Sequence, residues 1–260
     1  MTELQTQRTG LSACIITLNE ADRIEECILS LAFCDEIVVV DSGSIDDTRE
    51  RAAALGARVL KRPFDGYRSQ KAFAVAAAEH DWVLCLDADE RVSPPLCVSI
   101  ESARAQNFTG MSGYLFCRAT EYFGAYLRHG NAYPDRVLRL FDRRHGGWRG
   151  EREIHEHASV DGAVGLLRGD LLHHAYRSLT DQIQRLDRYA RLMAEHQHVR
   201  GKRVSIGQIV VSPFWRFLRG YVLRRGFLDG WRGLVFAYVE ANYVRQKAIK
   251  QWLLERGHSL

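Results

Sequence analysis

Short apolar segments alternate with amphipathic ones over the first hundred residues. The apolar runs at 11–17, 36–41 and 82–86 predict strands, and residues 58–61 predict a further short strand. Between them, residues 21–32, 48–55 and 69–79 repeat apolar positions at helical spacing and predict helices. The run at 36–41 is nearly continuous and β-branched, which is typical of a parallel strand covered on both faces. This alternation predicts βαβ units with right-handed crossovers and therefore an α/β sheet.

The alternation loosens after Pro94 and Pro95. We expect a helix to about residue 105 and strands near 113–118 and 136–141. From residue 179 onward the pattern is almost wholly helical, and residues 210–254 are rich in aromatic side chains and arginine. The chain is therefore predicted to contain an α/β domain at 1–178 and a helical extension at 179–260.

Polar side chains stand where three of these strands end. The fourth strand ends at Asp87 and Asp89, the first at residues 17–20 and the second at Asp41 and Ser42. The carboxyl ends of parallel strands form the crevice in which α/β sheets bind ligands. On an extended backbone Asp87 and Asp89 would point to one side. Such a pair suits a divalent cation, Mg or Mn, completed by water and phosphate oxygens, although Asp is also common in turns.

The other polar residues of these strand ends have two interpretations each. Asp41 could hydrogen-bond a nucleobase or ribose. The alternative, that it caps the following helix, is less favoured because Asp46 and Asp47 are better placed to do so. Asn19 and Glu20 could contact the same ligand or simply cap the first helix. A nucleotide ligand is therefore compatible with the pattern.

The sequence lacks the common glycine-rich motifs that bind phosphate. The sequence contains neither the dinucleotide-binding Gly-x-Gly-x-x-Gly after the first strand nor a P-loop. Lys71 or Arg68 could supply a cation to phosphates, although Lys71 could equally be a surface residue. His173 follows a strand-like segment and could be a further metal or phosphate contact, or a buried histidine that is already hydrogen-bonded.

Together these segments resemble the family 2 glycosyltransferases, which have the GT-A fold. The matching pieces are Ile-Ile-Thr-Leu-Asn-Glu at 15–20, Val-Val-Val-Asp-Ser-Gly-Ser-Ile-Asp-Asp-Thr at 38–48, the pair Gln70-Lys71, and Leu-Asp-Ala-Asp-Glu at 86–90. The resemblance implies a nucleotide-diphosphate sugar donor and a Mg or Mn cofactor. It implies that Asp41 contacts the base, Thr17 and Glu20 the nucleotide, Asp87 the ribose or sugar, and Asp89 the metal.

The second half is similar to a narrower group, the bacterial transferases that add a β-1,4-linked glucose to the lipopolysaccharide inner core. The segments concerned are Arg-Leu-Phe at 139–141, Ile-His-Glu at 154–156, Leu-His-His-Ala-Tyr at 172–176 and Arg-Gly-Phe-Leu-Asp-Gly at 225–230. This resemblance implies a hexose donor and a lipopolysaccharide core acceptor. It favours Glu156 as the base that activates the acceptor hydroxyl, with Glu153 second and His155 third; a solvated charged loop is the alternative.

Composition and charge give indications of the cellular compartment in which the protein acts. The six cysteines show no Cys-x-x-Cys spacing, and several lie in apolar runs, which favours a reducing, cytoplasmic setting. No segment has the length and apolarity of a membrane-spanning helix. Residues 202–256 contain 11 Lys or Arg against 3 Asp or Glu, whereas the whole chain has a net charge of only +4.

This basic, aromatic-rich extension suits peripheral contact with the inner face of the cytoplasmic membrane. The alternative is that its aromatic residues pack onto the sheet domain or form a homodimer. Nucleic acid is a weak candidate partner, because no nucleic-acid motif is present.

The sequence thus predicts an inverting, metal-dependent glycosyltransferase that moves a hexose to a glycolipid or oligosaccharide acceptor. One alternative keeps the donor and replaces the acceptor by a polyprenyl phosphate or a protein side chain. Another is a non-catalytic scaffold protein that binds nucleotide sugars without turnover. A sugar nucleotidyltransferase is disfavoured, because a glycine-rich basic loop is expected after its first strand and residues 17–22 contain neither glycine nor lysine.

Overall fold

The computed structural model describes residues 8–149 and 157–260, within which it contains ten strands and seven α-helices. The strands are β1 (Leu11–Thr17), β2 (Glu36–Asp41), β3 (Arg58–Lys61), β4 (Trp82–Asp87), β5 (Glu90–Val92), β6 (Gly113–Thr120), β7 (Asp135–Asp142), β8 (Gly146–Arg149), β9 (His157–Val160) and β10 (Val164–His173). The helices are α1 (Ile24–Leu29), α2 (Thr48–Ala54), α3 (Tyr67–Ala77), α4 (Pro94–Ala105), α5 (Leu179–Val199), α6 (Ile206–Phe217) and α7 (Gly230–Leu254). A π-helical segment (Leu218–Leu223) and a 3₁₀ turn (Gly226–Asp229) join α6 to α7.

Eight strands form one sheet in the order β3-β2-β1-β4-β7-β6-β10-β5, and β8 and β9 form a separate antiparallel pair. Strands β3, β2, β1 and β4 pair in parallel; β7 is antiparallel to β4, and β5 is antiparallel to β10. The four parallel strands are those predicted from the apolar runs. The expected GT-A class, an α/β sheet with a helical extension, is confirmed.

Strands β1, β2 and β4 are buried on both faces over most of their length, which explains their largely apolar character, whereas the edge strand β3 is exposed at both ends. In β1 the side chains of Leu11, Ala13 and Ile15 enter one hydrophobic core, and those of Cys14 and Ile16 enter another. Helices α1 and α4 contribute to the first core, and α3 contributes to the second. Successive side chains of a strand point to opposite faces, so the residues on both faces of β1 must be mainly apolar.

Element boundaries differ from the predictions in a few places. The helix predicted at 21–32 is only Ile24–Leu29, because residues 21–23 form a turn in which the N–H groups of Arg23 and Ile24 both donate to the Glu20 carbonyl. Strands β5, β8 and β9 were not predicted, and β10 was suggested only at its end. These strands are short or carry polar and glycine residues, so they lack a clear apolar signal.

The chain forms two compact units. One contains the residues up to Arg118 together with Arg136–His173, and the other contains Ala119–Asp135 together with His174–Leu260. The division at His173 lies close to the boundary predicted at 178/179. The sequence did not suggest that residues 119–135 join the helices, where the N–H groups of Arg128 and His129 donate to the Asp229 carboxylate at 3.1 and 2.9 Å.

The helical unit leaves much apolar surface uncovered. None of the α6 residues, all of which lie in the described chain, is buried. Phe214, Phe217 and Tyr238 line an open groove of about 390 Å³ between α6 and α7. Among the described residues, no helix combines the length and the apolar composition needed to cross a membrane.

Candidate active site

Three strand ends meet at one edge of the sheet, as predicted. Strands β2, β1 and β4 are adjacent and parallel, with Thr17 beside Asp41 and Ile16 beside Asp87 in the register. Parallel strands place their carboxyl ends on the same side. Thr17, Asp41 and Asp87 therefore lie along a single edge.

The loops after β1 and β2 are tied to each other by hydrogen bonds. Asn19 donates its N–H to Ser44 Oγ at 2.8 Å and accepts the Ile45 N–H on Oδ1 at 2.9 Å. Glu20 donates its N–H to Thr48 Oγ1 at 2.9 Å. Asn19 has φ of +54°, a left-handed conformation that Asn tolerates better than most residues. Asn19 therefore braces the two loops, whatever ligand it also contacts.

Asp41 is fully buried and shapes its own loop. Its Oδ1 accepts the N–H groups of Gly43 and Ser44 at 3.1 and 3.0 Å, and its Oδ2 accepts the Ser44 hydroxyl. Arg49 Nη1 lies 3.8 Å from Oδ1. The sequence favoured a nucleotide contact over a capping role for Asp41, yet this carboxylate has structural hydrogen bonds of its own.

Two polar atoms of uncharged side chains near the strand ends are buried without a hydrogen-bond partner in the described chain. They are Thr17 Oγ1 and Gln70 Oε1. Gln70 is fully buried and donates from Nε2 to Ser42 Oγ at 3.0 Å. A buried polar atom without a partner is costly, so its presence beside a crevice is typical of a position that a polar ligand completes.

Asp87 is held by two cations. Lys71 Nζ lies 3.2 Å from Oδ1, and Arg139 donates from Nη2 to Oδ2 at 3.1 Å. The Trp148 ring covers both cations, with its centroid 4.6 Å from Lys71 Nζ and 5.1 Å from Arg139 Cζ. Burial would raise the pKa of Asp87, but the charges of Lys71 and Arg139 outweigh burial and hold the pKa well below its usual range. Asp87 is therefore ionised and fixed in position.

Glu90 extends this cluster into the core. It is fully buried, accepts the Asp87 N–H on Oε2 at 3.0 Å, and pairs through Oε1 with Arg118 and Arg139 at 3.2 and 3.3 Å. Burial would lower the pKa of Arg139, but Glu90 and Asp87 raise it above the usual value. The shared Arg139 therefore connects the two carboxylates.

Asp89 has different partners. It lies in the two-residue turn between β4 and β5, whereas the sequence predicted an extended backbone at this position. Its Oδ2 is 3.6 Å from His173 Nε2 and 3.9 Å from Arg23 Nη1. The β5–β10 pairing places His173 opposite Glu90, which brings the imidazole to this turn. The two carboxylates of the Asp-x-Asp pair thus contact separate sets of side chains.

Asp89 and His173 are suited to a hard divalent cation. They offer a carboxylate oxygen and an imidazole nitrogen, and His173 Nδ1 is buried without a hydrogen-bond partner in the described chain. Within residues 8–149 and 157–260 no group of three or more His, Cys, Asp or Glu side chains is arranged to hold a metal. Mg²⁺ usually takes only one or two protein carboxylates and completes its shell with water and phosphate. The residues present therefore fit Mg²⁺ or Mn²⁺ that is shared with a phosphate ligand.

The three candidates for the acceptor base, Glu153, His155 and Glu156, lie outside the described residues. The described residues on either side are Arg149 and His157, which pair with each other in the β8–β9 hairpin. Trp148, next to Arg149, contacts both cations that hold Asp87. Strand β8, which precedes this segment, therefore contributes a side chain to the candidate site.

Several residues of the site were not predicted as site residues. They are Arg23, Gln70, Glu90, Arg118, Arg139 and Trp148. Gln70, Glu90 and Arg139 belong to segments that carry the family resemblance, so that resemblance could have indicated them. Arg23, Arg118 and Trp148 lie outside those segments, and only the folded chain brings them to Asp87 and Asp89.

Comparisons with known proteins find a matching family model and similar glycosyltransferase sequences. Residues 12–143 match the family model for glycosyl transferase family 2. The chain is 32% identical over 250 residues to the lipopolysaccharide core biosynthesis glycosyltransferase LpsC of Rhizobium meliloti, and the match covers 91% of this chain and 92% of that protein. It is 30% identical over 259 residues to an uncharacterised glycosyltransferase of Rickettsia typhi, which covers 94% of this chain and 88% of that one.

A solved structure is also similar over part of the chain. It is glucosyl-3-phosphoglycerate synthase from Mycobacterium tuberculosis in complex with Mn²⁺ and UDP-glucose. The identity is 30%, the similarity covers 44% of each chain, and the TM-score is 0.36.

Proposed function

The chain belongs to glycosyl transferase family 2, and we propose that it is an inverting enzyme that transfers a hexose from a nucleotide-diphosphate sugar to a saccharide acceptor. The observation that carries the proposal is the placement of Asp87 and Asp89 at the carboxyl edge of the parallel strands. One lies among cations and the other lies beside an imidazole. Such an edge can hold both a nucleotide and a divalent cation.

The donor subsite in this proposal comprises the predicted strand-end residues. These are Thr17, Asn19, Glu20, Asp41, Ser42, Lys71 and Asp87. Thr17 Oγ1 and Gln70 Oε1, which are buried without partners in the described chain, support a polar ligand here. Asp41 accepts three hydrogen bonds from its own loop and therefore fixes that loop. We propose that it contacts the base as well.

Sugar transfer requires stabilisation of a diphosphate leaving group and activation of a hydroxyl. We propose that Asp89 and His173 hold Mg²⁺ or Mn²⁺, which when bound would supply positive charge to the leaving diphosphate. Lys71 and Arg139 keep Asp87 ionised and oriented, so that it can accept a hydrogen bond from a ribose or sugar hydroxyl. Glu156 remains the preferred base from the sequence, with Glu153 and His155 behind it.

For the acceptor we propose lipopolysaccharide core, with glucose as the transferred sugar. The support is the similarity to LpsC, whose name assigns it to lipopolysaccharide core biosynthesis and which matches over 91% of this chain. An acceptor of this class carries a lipid anchor. The enzyme would therefore act at the cytoplasmic face of the inner membrane.

We also propose that the helical unit makes the membrane contact. Helix α6 exposes Val211 and Phe214 by 61% and 67%, and the segment 202–256 has 11 basic against 3 acidic residues. Each basic residue near an anionic surface contributes about 1 kcal/mol. A Val211→Glu/Phe214→Glu variant should float less with vesicles rich in phosphatidylglycerol, whereas Val199→Glu, at an exposed position of α5, should behave as wild type. Equal flotation of all three proteins would contradict this contact.

The decisive experiment is a mass-spectrometric screen of nucleotide sugars with Mn²⁺, with and without truncated core oligosaccharides. We expect one donor to yield free nucleotide and a product larger by one hexose only when the oligosaccharide is present. Transfer to a simple polyprenyl phosphate instead would replace the acceptor assignment. Donor binding without turnover on any acceptor would favour a nucleotide-sugar-binding scaffold and overturn the proposed function.

A further inference from the structure

Arg23 is a buried arginine with three acidic neighbours and only long contacts to them. It lies in the turn before α1, is 7% exposed, and has Nη1 at 3.6 Å from Glu20 Oε2 and 3.9 Å from Asp89 Oδ2. Its Nε lies 3.9 Å from Asp22 Oδ2. Nη1 is buried and has no hydrogen-bond partner in the described chain. Arg23 therefore supplies charge to Asp89 without a directional bond.

This arrangement contrasts with the usual state of a buried arginine. The cost of desolvating a guanidinium is normally offset by short, charge-assisted hydrogen bonds. Arg139 also has a buried Nη1 without a partner in the described chain, but it is held by a short bond, since Nη2 donates to Asp87 at 3.1 Å. Arg23 makes no such short bond among the described residues, and its unbonded Nη1 remains able to donate to another acceptor.

The charges around the two aspartates suggest what that acceptor is. Lys71 and Arg139 already neutralise Asp87, so a divalent cation gains little there. Asp89 is opposed only by the distant Arg23 and by His173 among the described ion pairs. A cation that binds Asp89 would repel the Arg23 guanidinium at this short range. A diphosphate brought to the same carboxylate would attract it.

We propose that Arg23 is an exchangeable counter-ion. It opposes divalent cation binding at Asp89 when no nucleotide is present, and it donates from Nη1 to the diphosphate when cation and nucleotide bind together. This inference rests on the proposed function and deepens it, because it adds a binding residue to the donor site. It also predicts that metal and nucleotide bind cooperatively. The diphosphate offsets the repulsion between Arg23 and the cation, and the cation at Asp89 frees Arg23 to donate to the diphosphate.

The test measures two affinities in Arg23→Gln. Free Mn²⁺ is followed by electron paramagnetic resonance with protein alone, and binding of UDP, GDP and ADP is followed by calorimetry at saturating Mn²⁺. We expect the variant to bind Mn²⁺ alone roughly 3-fold more tightly, because the competing charge is gone. We expect the best nucleotide to bind about 10-fold more weakly, because a charge-assisted hydrogen bond to phosphate is lost.

Opposite changes in the two affinities distinguish this role from a structural one. A merely structural Arg23 would weaken both affinities or leave both unchanged, and either result would overturn the inference. Arg23→Lys keeps the charge, so it should bind Mn²⁺ alone as wild type does and the nucleotide with intermediate affinity. That variant keeps the test valid if Arg23→Gln folds poorly. Arg51→Gln, which removes a surface pair with Glu25, is the matched control and should change neither affinity.

Failure of the inference can be separated from failure of the proposed function. If wild type binds Mn²⁺ with a nucleotide and Asp89→Ala does not, the metal site of the proposed function stands, and the Arg23 variants then decide the inference alone. If wild type binds no Mn²⁺ with any of the three nucleotides, both the metal site and the Arg23 exchange are overturned.

Discussion

Asp87 and Asp89 are two residues apart in the chain, and their surroundings differ in almost every respect. Asp87 is tied to Lys71 and Arg139 at 3.2 and 3.1 Å under the Trp148 ring. Asp89 lies in a turn and meets its partners only at 3.6 and 3.9 Å. Short, buried ion pairs fix a carboxylate in place, whereas long ones leave it available to a new ligand. The difference supports our proposal that the first carboxylate positions a ligand and the second binds the cation.

Removing the Asp89 carboxylate should have the largest effect on activity. We expect Asp89→Ala to lose Mn²⁺-dependent donor binding and to lower kcat/KM by about 10³-fold, because the leaving group would lack its stabilising charge. Stability should change little, since the contacts of Asp89 are long. Donor titration with and without Mn²⁺ checks this, with Asp161→Ala, at an exposed turn residue, as the control. Unchanged Mn²⁺ dependence would break the assignment of Asp89.

Changing the predicted base should separate transfer from donor binding. Glu156→Gln removes a proton acceptor and changes none of the residues proposed to bind the donor or the metal. We expect donor affinity to stay within about 2-fold and turnover to fall by about 10²-fold or more. Near-normal turnover would make Glu153 the next candidate, and the same measurements on Glu153→Gln would follow.

Breaking the Asp87 cluster should affect folding as well as activity. Arg139→Gln leaves Asp87 and the fully buried Glu90 with fewer cations, and removal of one partner from a buried pair costs about 3 kcal/mol of unfolding free energy. Urea unfolding measures this change. Arg149→Gln, which breaks an exposed pair with Asp161, should cost less than about 1 kcal/mol. If the two variants are equally stable, the cluster around Asp87 is not a stabilising centre.

The smallest effect concerns acid stability. Because the pKa of Asp87 is lower in the folded chain than its unfolded value of about 3.9, its ionised form stabilises the fold above that pH. This contribution is lost as the pH falls through the unfolded value toward the folded one. Asp87→Asn should therefore be less stable than wild type at pH 7, and the difference should shrink below about pH 4. A difference that is independent of pH in urea titrations would contradict this origin.

The parallel half of the sheet could be predicted because its signals are local. Strands β1, β2 and β4 appear as largely apolar runs, and the polar residues at their ends mark the edge where Thr17, Asp41 and Asp87 meet. The antiparallel half was harder to predict. Strand β10 carries Arg and Gly between its apolar residues, and β5 has only three residues, so neither shows a clear period.

The candidate site divides in the same way. Asp87 and Asp89 could be predicted from a local motif, and His173 could be suggested as a metal contact. The orientation of the two carboxylates was wrongly taken to be that of an extended strand, because the turn at residues 88–89 depends on the β5–β10 pairing. Arg23 and Trp148 could not be predicted, since their positions 64 and 61 residues from Asp87 carry no shared pattern.

The sequence by itself determined the parallel strands, the helical C-terminal segment and the acidic pair at the end of β4. These depend on periodicity and on residues that are neighbours in the chain. Only the tertiary structure decided that Lys71 and Arg139 secure Asp87 while Arg23 and His173 approach Asp89. The physical reason is that ion pairs between distant segments depend on strand order and loop geometry, and Coulomb energies at 3 to 4 Å change with every ångström of placement.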